Sequence, residues 1–109
     1  MTSVREERSP GVSILHISGP LRVPIDLELQ WTVHAILRRG VRRIELNLAA
    51  VSDLDAGGVG ELVHLFNMAA AAHSELRIAN ARPRVRELLD RVRVFDLLTG
   101  DTRWWPQAV

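Results

Sequence analysis

The sequence predicts one α/β domain, with a mixed, mostly parallel sheet of four to five strands and helices packed on it. Short apolar runs rich in β-branched residues alternate with stretches of helical periodicity, a pattern typical of largely parallel sheets. The chain has 109 residues, the usual size of one domain. Glycine and proline separate the segments, and no linker or internal repeat interrupts them. We therefore expect a single domain over residues 1–109, with its core at about 12–98 and a tail at 99–109.

In the first half of the chain, a polar segment at residues 4–8 ends at a Pro-Gly turn, before the expected core. An apolar run at 12–17 predicts a buried strand, and glycine and prolines mark the following loop at 19–24. A helix is predicted over residues 25–39, because apolar residues recur there at helical spacing. These residues are Ile25, Leu29, Val33, Ile36 and Leu37. Gly40 suits the end of that helix.

The second half repeats the alternation, with strands predicted at residues 43–48 and 76–79. The helix between them is expected to bury one side, formed by Val59, Leu62, Val63, Phe66 and Ala70. A third helix is predicted to begin at a proline, a residue well suited to the first helical position. Its start is Pro83, and its apolar residues are Val85, Leu88, Leu89 and Val92. A last strand is expected around Val94 and Phe95.

The most informative segment is the turn at residues 50–60, where an alternating strand leads through two aspartates into a helix that opens on glycines. Glycine in a helix costs up to about 1 kcal/mol relative to alanine, so adjacent Gly57 and Gly58 indicate a need for bare backbone. Close packing of helix on sheet and close approach of a partner both satisfy that need. A phosphate cradle is disfavoured, because the Walker pattern and lysine are absent and Asp53 and Asp55 would repel the anion.

This turn resembles the signature of the STAS domain, the fold of bacterial anti-sigma factor antagonists and of the cytoplasmic tails of sulfate transporters. In that family, a strand leads to an Asp-Ser-Ser-Gly turn, and residues 55–60 (Asp-Ala-Gly-Gly-Val-Gly) stand in its place. Residues 19–21 (Gly-Pro-Leu) are similar to the family's Gly-x-Leu. Residues 80–89 are similar to its Pro-x-Val-x-x-Leu-Leu helix. The resemblance covers most of residues 12–98 and implies an antagonist-type STAS fold.

One departure from the family concerns its phosphorylation switch. In antagonists of this kind, a partner kinase phosphorylates the second serine of the turn. That position is Gly57 here, and the first serine's position is Ala56, so neither residue can accept a phosphate. The resemblance therefore implies a retained docking surface without phosphorylation at the usual place. Ser52, which precedes the turn, is either a replacement acceptor or a turn hydroxyl bonded to local backbone.

The resemblance also implies which residues meet a partner. They are Leu21, Arg22, Asp53, Asp55, Ala56, Gly57, Gly58, Gly60 and Glu61. Asp55 has a second interpretation as the helix N-cap, accepting a hydrogen bond from Gly57 or Gly58, and both roles are compatible. The exposed side of the second helix and residues 21–24 complete the expected docking surface.

Three classes of function remain open from the sequence. The first is a non-catalytic regulatory module that docks a histidine-kinase-like anti-sigma ATPase. The alternative is an accessory STAS subunit beside the ABC ATPase of a lipid transport system. A third class, an enzyme or carrier of a small apolar or anionic ligand, would be favoured by a pocket lined by residues 19–24 and 53–60. Homodimerisation is compatible with each of them.

Several other functions are disfavoured by composition. Cysteine is absent, and Glu61 and His64 form only one of the paired motifs that a di-iron site requires. His16, His34 and His73 lack ligand spacing, so we expect no metal and no cofactor. The sequence offers no combination of nucleophile, base and orienting acid, so we expect no catalysis. All fourteen basic residues are arginines spread along amphipathic segments, which disfavours nucleic-acid binding.

The expected location and the role of the tail follow from similar observations. No apolar run approaches the roughly 20 residues of a transmembrane helix, and we expect a cytoplasmic protein without direct membrane insertion. Trp104 and Trp105 either anchor a partner or cover the domain's own sheet. Trp31 lies outside the apolar side of the first helix, and it too either anchors a partner or covers the domain's own surface.

Overall fold

The computed structural model describes residues 2–24 and 27–92 and contains four strands and three helices within them. In chain order, these are β1 (Ser3–Ser9), β2 (Val12–Leu21), α1 (Glu28–Arg38), β3 (Arg43–Leu54), α2 (Ala56–Ala71), β4 (Glu75–Ala79) and α3 (Pro83–Val92). The strand predicted around Val94 and Phe95 and the tail with Trp104 and Trp105 lie outside the described residues. Ile25, expected on the apolar side of the first helix, lies outside them as well.

The sheet is mixed and mostly parallel, as the alternation of strands and helices predicts. Its strand order is β1-β2-β3-β4. The β1 strand runs antiparallel to β2, whereas β2 with β3 and β3 with β4 are parallel pairs. The carboxyl ends of the three parallel strands therefore meet at one edge, where the turn after β3 lies.

The N-terminal segment, expected to precede the core, is instead the edge strand β1. It pairs with β2 along its whole length, from Ser3 opposite Ser18 to Ser9 opposite Val12. Its sequence lacks the apolar pattern that indicates a strand, because Val4 is its one apolar residue and most of the others are charged. Charged residues are frequent on edge strands, where one side of the backbone has no partner. The predicted turn between these strands is confirmed, with Gly11 at φ 73°.

The core lies between the sheet and the helices. Along β2, β3 and β4, alternate residues are buried, and they form one cluster with buried residues from all three helices. The fully buried helical members include Leu29, Val33 and Ile36 of α1, as predicted. On α2, the expectation that Ala70 is buried is wrong. Ala69 is buried and Ala70 is exposed, because one residue corresponds to about 100° of rotation around a helix.

The β3 strand continues to Leu54, six residues past its predicted end at Leu48. Two irregularities in its register with β2 explain the difference. His16 pairs with Asn47 but Ser18 with Ala50, and the offset grows again between Gly19 and Leu21. Each irregularity inserts an extra residue into β3, which breaks the alternation visible in the sequence. Val51 and Leu54 consequently still face the core.

Candidate functional site

The turn after β3 is organised by the carboxylate of Asp55, the N-cap of α2. Its Oδ1 accepts a hydrogen bond from the backbone N–H of Gly58 at 2.8 Å, which confirms the capping hypothesis. Its Oδ2 accepts a second bond, at 3.0 Å, from the backbone N–H of Val23 in the loop after β2. One side chain thus joins the start of α2 to a loop that lies 32 residues earlier in the chain.

These contacts also set the charge of the turn. The hydrogen bond from Gly58, followed by that from Val23, lowers the pKa of the Asp55 carboxyl, and the nearby Arg22 contributes a smaller effect. Asp53 lies beside it, with Oδ2 at 3.5 Å from Nη1 of Arg22 and Oδ1 accepting from the N–H of Leu54. The Arg22 and Asp53 side chains are 54% and 38% exposed, so this ion pair lies in solvent.

Gly58 provides the bare backbone that the sequence predicts. It is buried, and a Cβ placed on it would lie 2.1 Å from the carbonyl oxygen of Leu21 and 2.6 Å from Cδ1 of Leu54. The oxygen belongs to rigid backbone, so no side chain fits there without moving the helix. The Leu21 side chain is itself in the core, 2% exposed. Gly58 therefore allows α2 to pack closely against the end of β2.

The other two glycines of the turn have different surroundings. A Cβ on Gly57 would lie 2.2 Å from Cγ2 of Val23 and 3.3 Å from Oδ1 of Asp55. Val23 is 65% exposed, so its side chain is free to rotate away. A Cβ on Gly60 would meet nothing within 4 Å. Gly57 thus borders a movable side chain, and Gly60 opens to solvent.

Glu61, expected among the partner-binding residues, lies beneath the surface. It is 4% exposed because position 61 falls on the inward side of α2, beside Leu62 and Leu65. Its Oε1 accepts a hydrogen bond from Nε2 of Gln30 on α1 at 2.8 Å, whereas its buried Oε2 has no partner among the described residues. The side chain therefore joins α1 to α2 and presents no contact area to a partner in this conformation.

The predicted site residues consequently divide into two groups. Leu21, Gly58 and Glu61 are buried and shape the site from below. The remainder lie at least partly exposed around the turn: Arg22, Asp53, Asp55, Ala56, Gly57 and Gly60. Exposed Val23 belongs to residues 21–24, which the sequence analysis placed on the docking surface, and exposed Trp31 was considered there as a partner anchor. Exposed Leu27 was not singled out from the sequence.

A cavity of about 330 Å³ lies beside the turn, between the end of β3 and α3. It is lined by Asp53, Leu54, Arg84, Val85, Glu87 and Leu88. The ligand pocket considered from the sequence would have been lined by residues 19–24 and 53–60, and no residue of the 19–24 loop lines this cavity. Among residues 2–24 and 27–92, no three His, Asp or Glu side chains are grouped to hold a metal ion. Over the same residues, every helix is too short or too polar to span a membrane.

Comparison with known proteins agrees with this architecture. The sequence model of the STAS domain matches residues 3–104. An anti-sigma factor antagonist from Mycobacterium paratuberculosis is 16% identical, with a TM-score of 0.71 over 90% of this chain and 82% of its own. The phosphorylated form of the Bacillus cell fate determinant SpoIIAA is 16% identical, with a TM-score of 0.70 over 98% of this chain and 92% of its own.

A third solved structure, that of Mglu, is 23% identical over 72% of this chain with a TM-score of 0.63, and the match spans 20% of its own length. No curated protein sequence matches the chain. At these identities, the structural likenesses show the fold alone.

Proposed function

Because the chain belongs to the STAS domain family, we propose that it is a non-catalytic regulatory module of the anti-sigma factor antagonist type. It docks a histidine-kinase-like anti-sigma ATPase through the turn at residues 50–60, the exposed side of α2 and residues 21–24. The observation that supports this most directly is the rigid presentation of the turn. Asp55 ties it to Val23, and Gly58 seats it against Leu21.

The absence of a hydroxyl group at positions 56 and 57 determines how this docking is regulated. A phosphoserine carries about −1.5 to −2 charges at neutral pH and weakens contacts where carboxylates are near. Ala56 and Gly57 keep the turn unphosphorylated at these positions, and Asp55 already occupies the amide of Gly58 at the helix N-terminus. The module is therefore constitutively competent to dock. Its activity follows its concentration and the competition among partners rather than phosphorylation of this turn.

The experiment is affinity capture with the tagged protein from an extract of the organism that encodes it, with bound proteins identified by mass spectrometry. We expect a histidine-kinase-like ATPase. Two matched variants locate the contact, because Ala56 and Ala71 are exposed at opposite ends of α2. Ala56→Arg should reduce capture at least tenfold, whereas Ala71→Arg should leave it unchanged.

The opposite outcomes are equally clear. Capture of an ABC ATPase would replace the antagonist assignment with that of an accessory transport subunit. Capture that persists in Ala56→Arg but is lost in Ala71→Arg would place the docking surface at the other end of the domain.

A further inference from the structure

The large exposed hydrophobic residues of the described chain are concentrated in one segment. Val23, Leu27 and Trp31 are 65%, 49% and 69% exposed, and all lie between the end of β2 and the second turn of α1. We call these three residues the apolar stripe. Single exposed hydrophobic residues are ordinary on protein surfaces, whereas a concentration of them marks an interaction site.

Two contacts fix the position of the apolar stripe along α2. Val23 lies against Gly57, and Gln30, the neighbour of Trp31, donates its hydrogen bond to Glu61 at 2.8 Å. Positions 57 and 61 are one helical turn apart and share a side of α2. Val23 and Gln30 therefore both lie beside the first two turns of α2, next to the turn at residues 53–60.

The stripe also has a regular direction along α1. The backbone N–H of Trp31 donates to the carbonyl of Leu27 at 3.0 Å, so their side chains lie one above the other. Both point away from the buried side of the helix, which carries Leu29 and Val33. The indole is thus presented outward from a helix.

Two exposed or partly exposed carboxyl groups lie beside the apolar stripe. Asp55 accepts a hydrogen bond from the backbone of Val23, and Glu28 directly follows Leu27 in the first turn of α1. Arg22 is the nearest basic residue in the same segment, and its guanidinium group faces Asp53. The local charge is therefore acidic, which favours a basic counterpart.

We propose that the apolar stripe is the centre of the docking surface and that its occupant is a protein with an apolar pocket bordered by basic side chains. Trp31 enters that pocket, with Leu27 and Val23 beside it. Tryptophan is among the residues that contribute most to binding when buried at the centre of an interface. This inference rests on the proposed function and adds to it the chemistry of the partner surface.

The test is a titration, by calorimetry, of the captured and purified ATPase with this protein and its variants. Trp31→Ala should weaken binding at least tenfold. Arg38→Ala, at the exposed far end of α1, should change the dissociation constant less than twofold. Trp31→Glu should bind more tightly than Trp31→Lys, because the partner's basic side chains attract the introduced carboxylate and repel the introduced ammonium group. Circular dichroism of each variant establishes that the fold is retained.

Each contrary result has a separate meaning. If the wild-type protein binds no ATPase, the proposed function fails and this inference fails with it. If it binds and Trp31→Ala binds equally well, the proposed function stands and the apolar stripe is not the centre. Should sedimentation show a wild-type dimer that Trp31→Ala dissociates, with ATPase binding unchanged, the occupant is a second copy of this chain and the inference is overturned.

Discussion

Val23 occupies the space that a side chain at position 57 would need: its Cγ2 lies 2.2 Å from where a Cβ of Gly57 would stand. The two residues come from different segments and meet because Asp55 holds the backbone of Val23 at 3.0 Å. The resemblance described above implies that position 57 takes the place of the family's phosphorylated serine. A side chain at position 57 and the present placement of Val23 therefore exclude each other.

Introducing a serine at position 57 tests this relationship between residues 23 and 57. With a cognate anti-sigma kinase and ATP, the wild-type turn should remain unmodified. Gly57→Ser should be phosphorylated slowly, because Val23 must first rotate away. The double variant Gly57→Ser, Val23→Ala should be phosphorylated faster. Mass spectrometry of the peptides provides the measurement, and a phosphate on residues 53–58 of the wild-type protein would contradict the prediction.

Two alanine substitutions on the same helix should have opposite effects on stability. Gly58→Ala places a Cβ 2.1 Å from the carbonyl oxygen of Leu21 and should lower the free energy of unfolding by about 1–3 kcal/mol. Gly60→Ala meets nothing within 4 Å and should raise it by up to about 1 kcal/mol through helix propensity. Urea denaturation measures both. Equal effects would show that Gly58 is not seated against β2.

Replacement of Asp55 should loosen the turn in two steps. Asp55→Asn keeps an oxygen for the N–H of Gly58 but loses the charge and one acceptor, so its melting temperature should fall slightly. Asp55→Ala loses both hydrogen bonds and should melt lower still. Because the pKa of Asp55 is lowered, the advantage of the wild-type carboxylate is present above the carboxyl's ordinary pKa. It should disappear as the pH falls through the lowered value.

Glu6 predicts a second pH dependence, at the opposite end of β2 and β3 from the turn. Hydrogen bonds from Arg39, and a further one from Ser13 at 2.6 Å, lower the pKa of Glu6 to about 2 from its ordinary value of 4.5. The wild-type protein should therefore exceed Glu6→Gln in stability by about 1–2 kcal/mol at neutral pH. The difference should shrink as the pH falls from 4.5 towards 2. A difference that does not change over this range would contradict the assignment.

Much of the fold could be predicted because its signals are local. Apolar spacing predicts the buried side of α1, and the aspartate before paired glycines predicts the N-cap of α2. The edge strand β1 could not be predicted in this way. Its residues are mostly charged, so it lacks the apolar alternation that identifies inner strands, and its backbone pairing with β2 leaves no signal in the sequence. The end of β3 was placed too early for a related reason, because an extra residue after Leu48 breaks the period of two.

The candidate site was harder to predict because its decisive contacts are long-range. The sequence indicates that Gly57 and Gly58 have no room for a side chain. It does not indicate that Val23 fills the space beside Gly57 or that the backbone of Leu21 lies against Gly58. Glu61 was expected at the surface but is buried. Its side chain accepts a hydrogen bond from Gln30 of α1, which lies 31 residues earlier in the chain. Such pairings depend on how elements pack, and a single sequence carries no periodic signal for them.

The charged edge strands bear on aggregation. Exposed Arg5 and Glu7 lie on β1, and Glu75 and Arg77 form an ion pair on β4, the other outer strand of the sheet within residues 2–24 and 27–92. A strand approaching from another molecule would have to bring its own side chains against these charges, which disfavours sheet extension. Association with other molecules is left to side-chain surfaces rather than to backbone pairing.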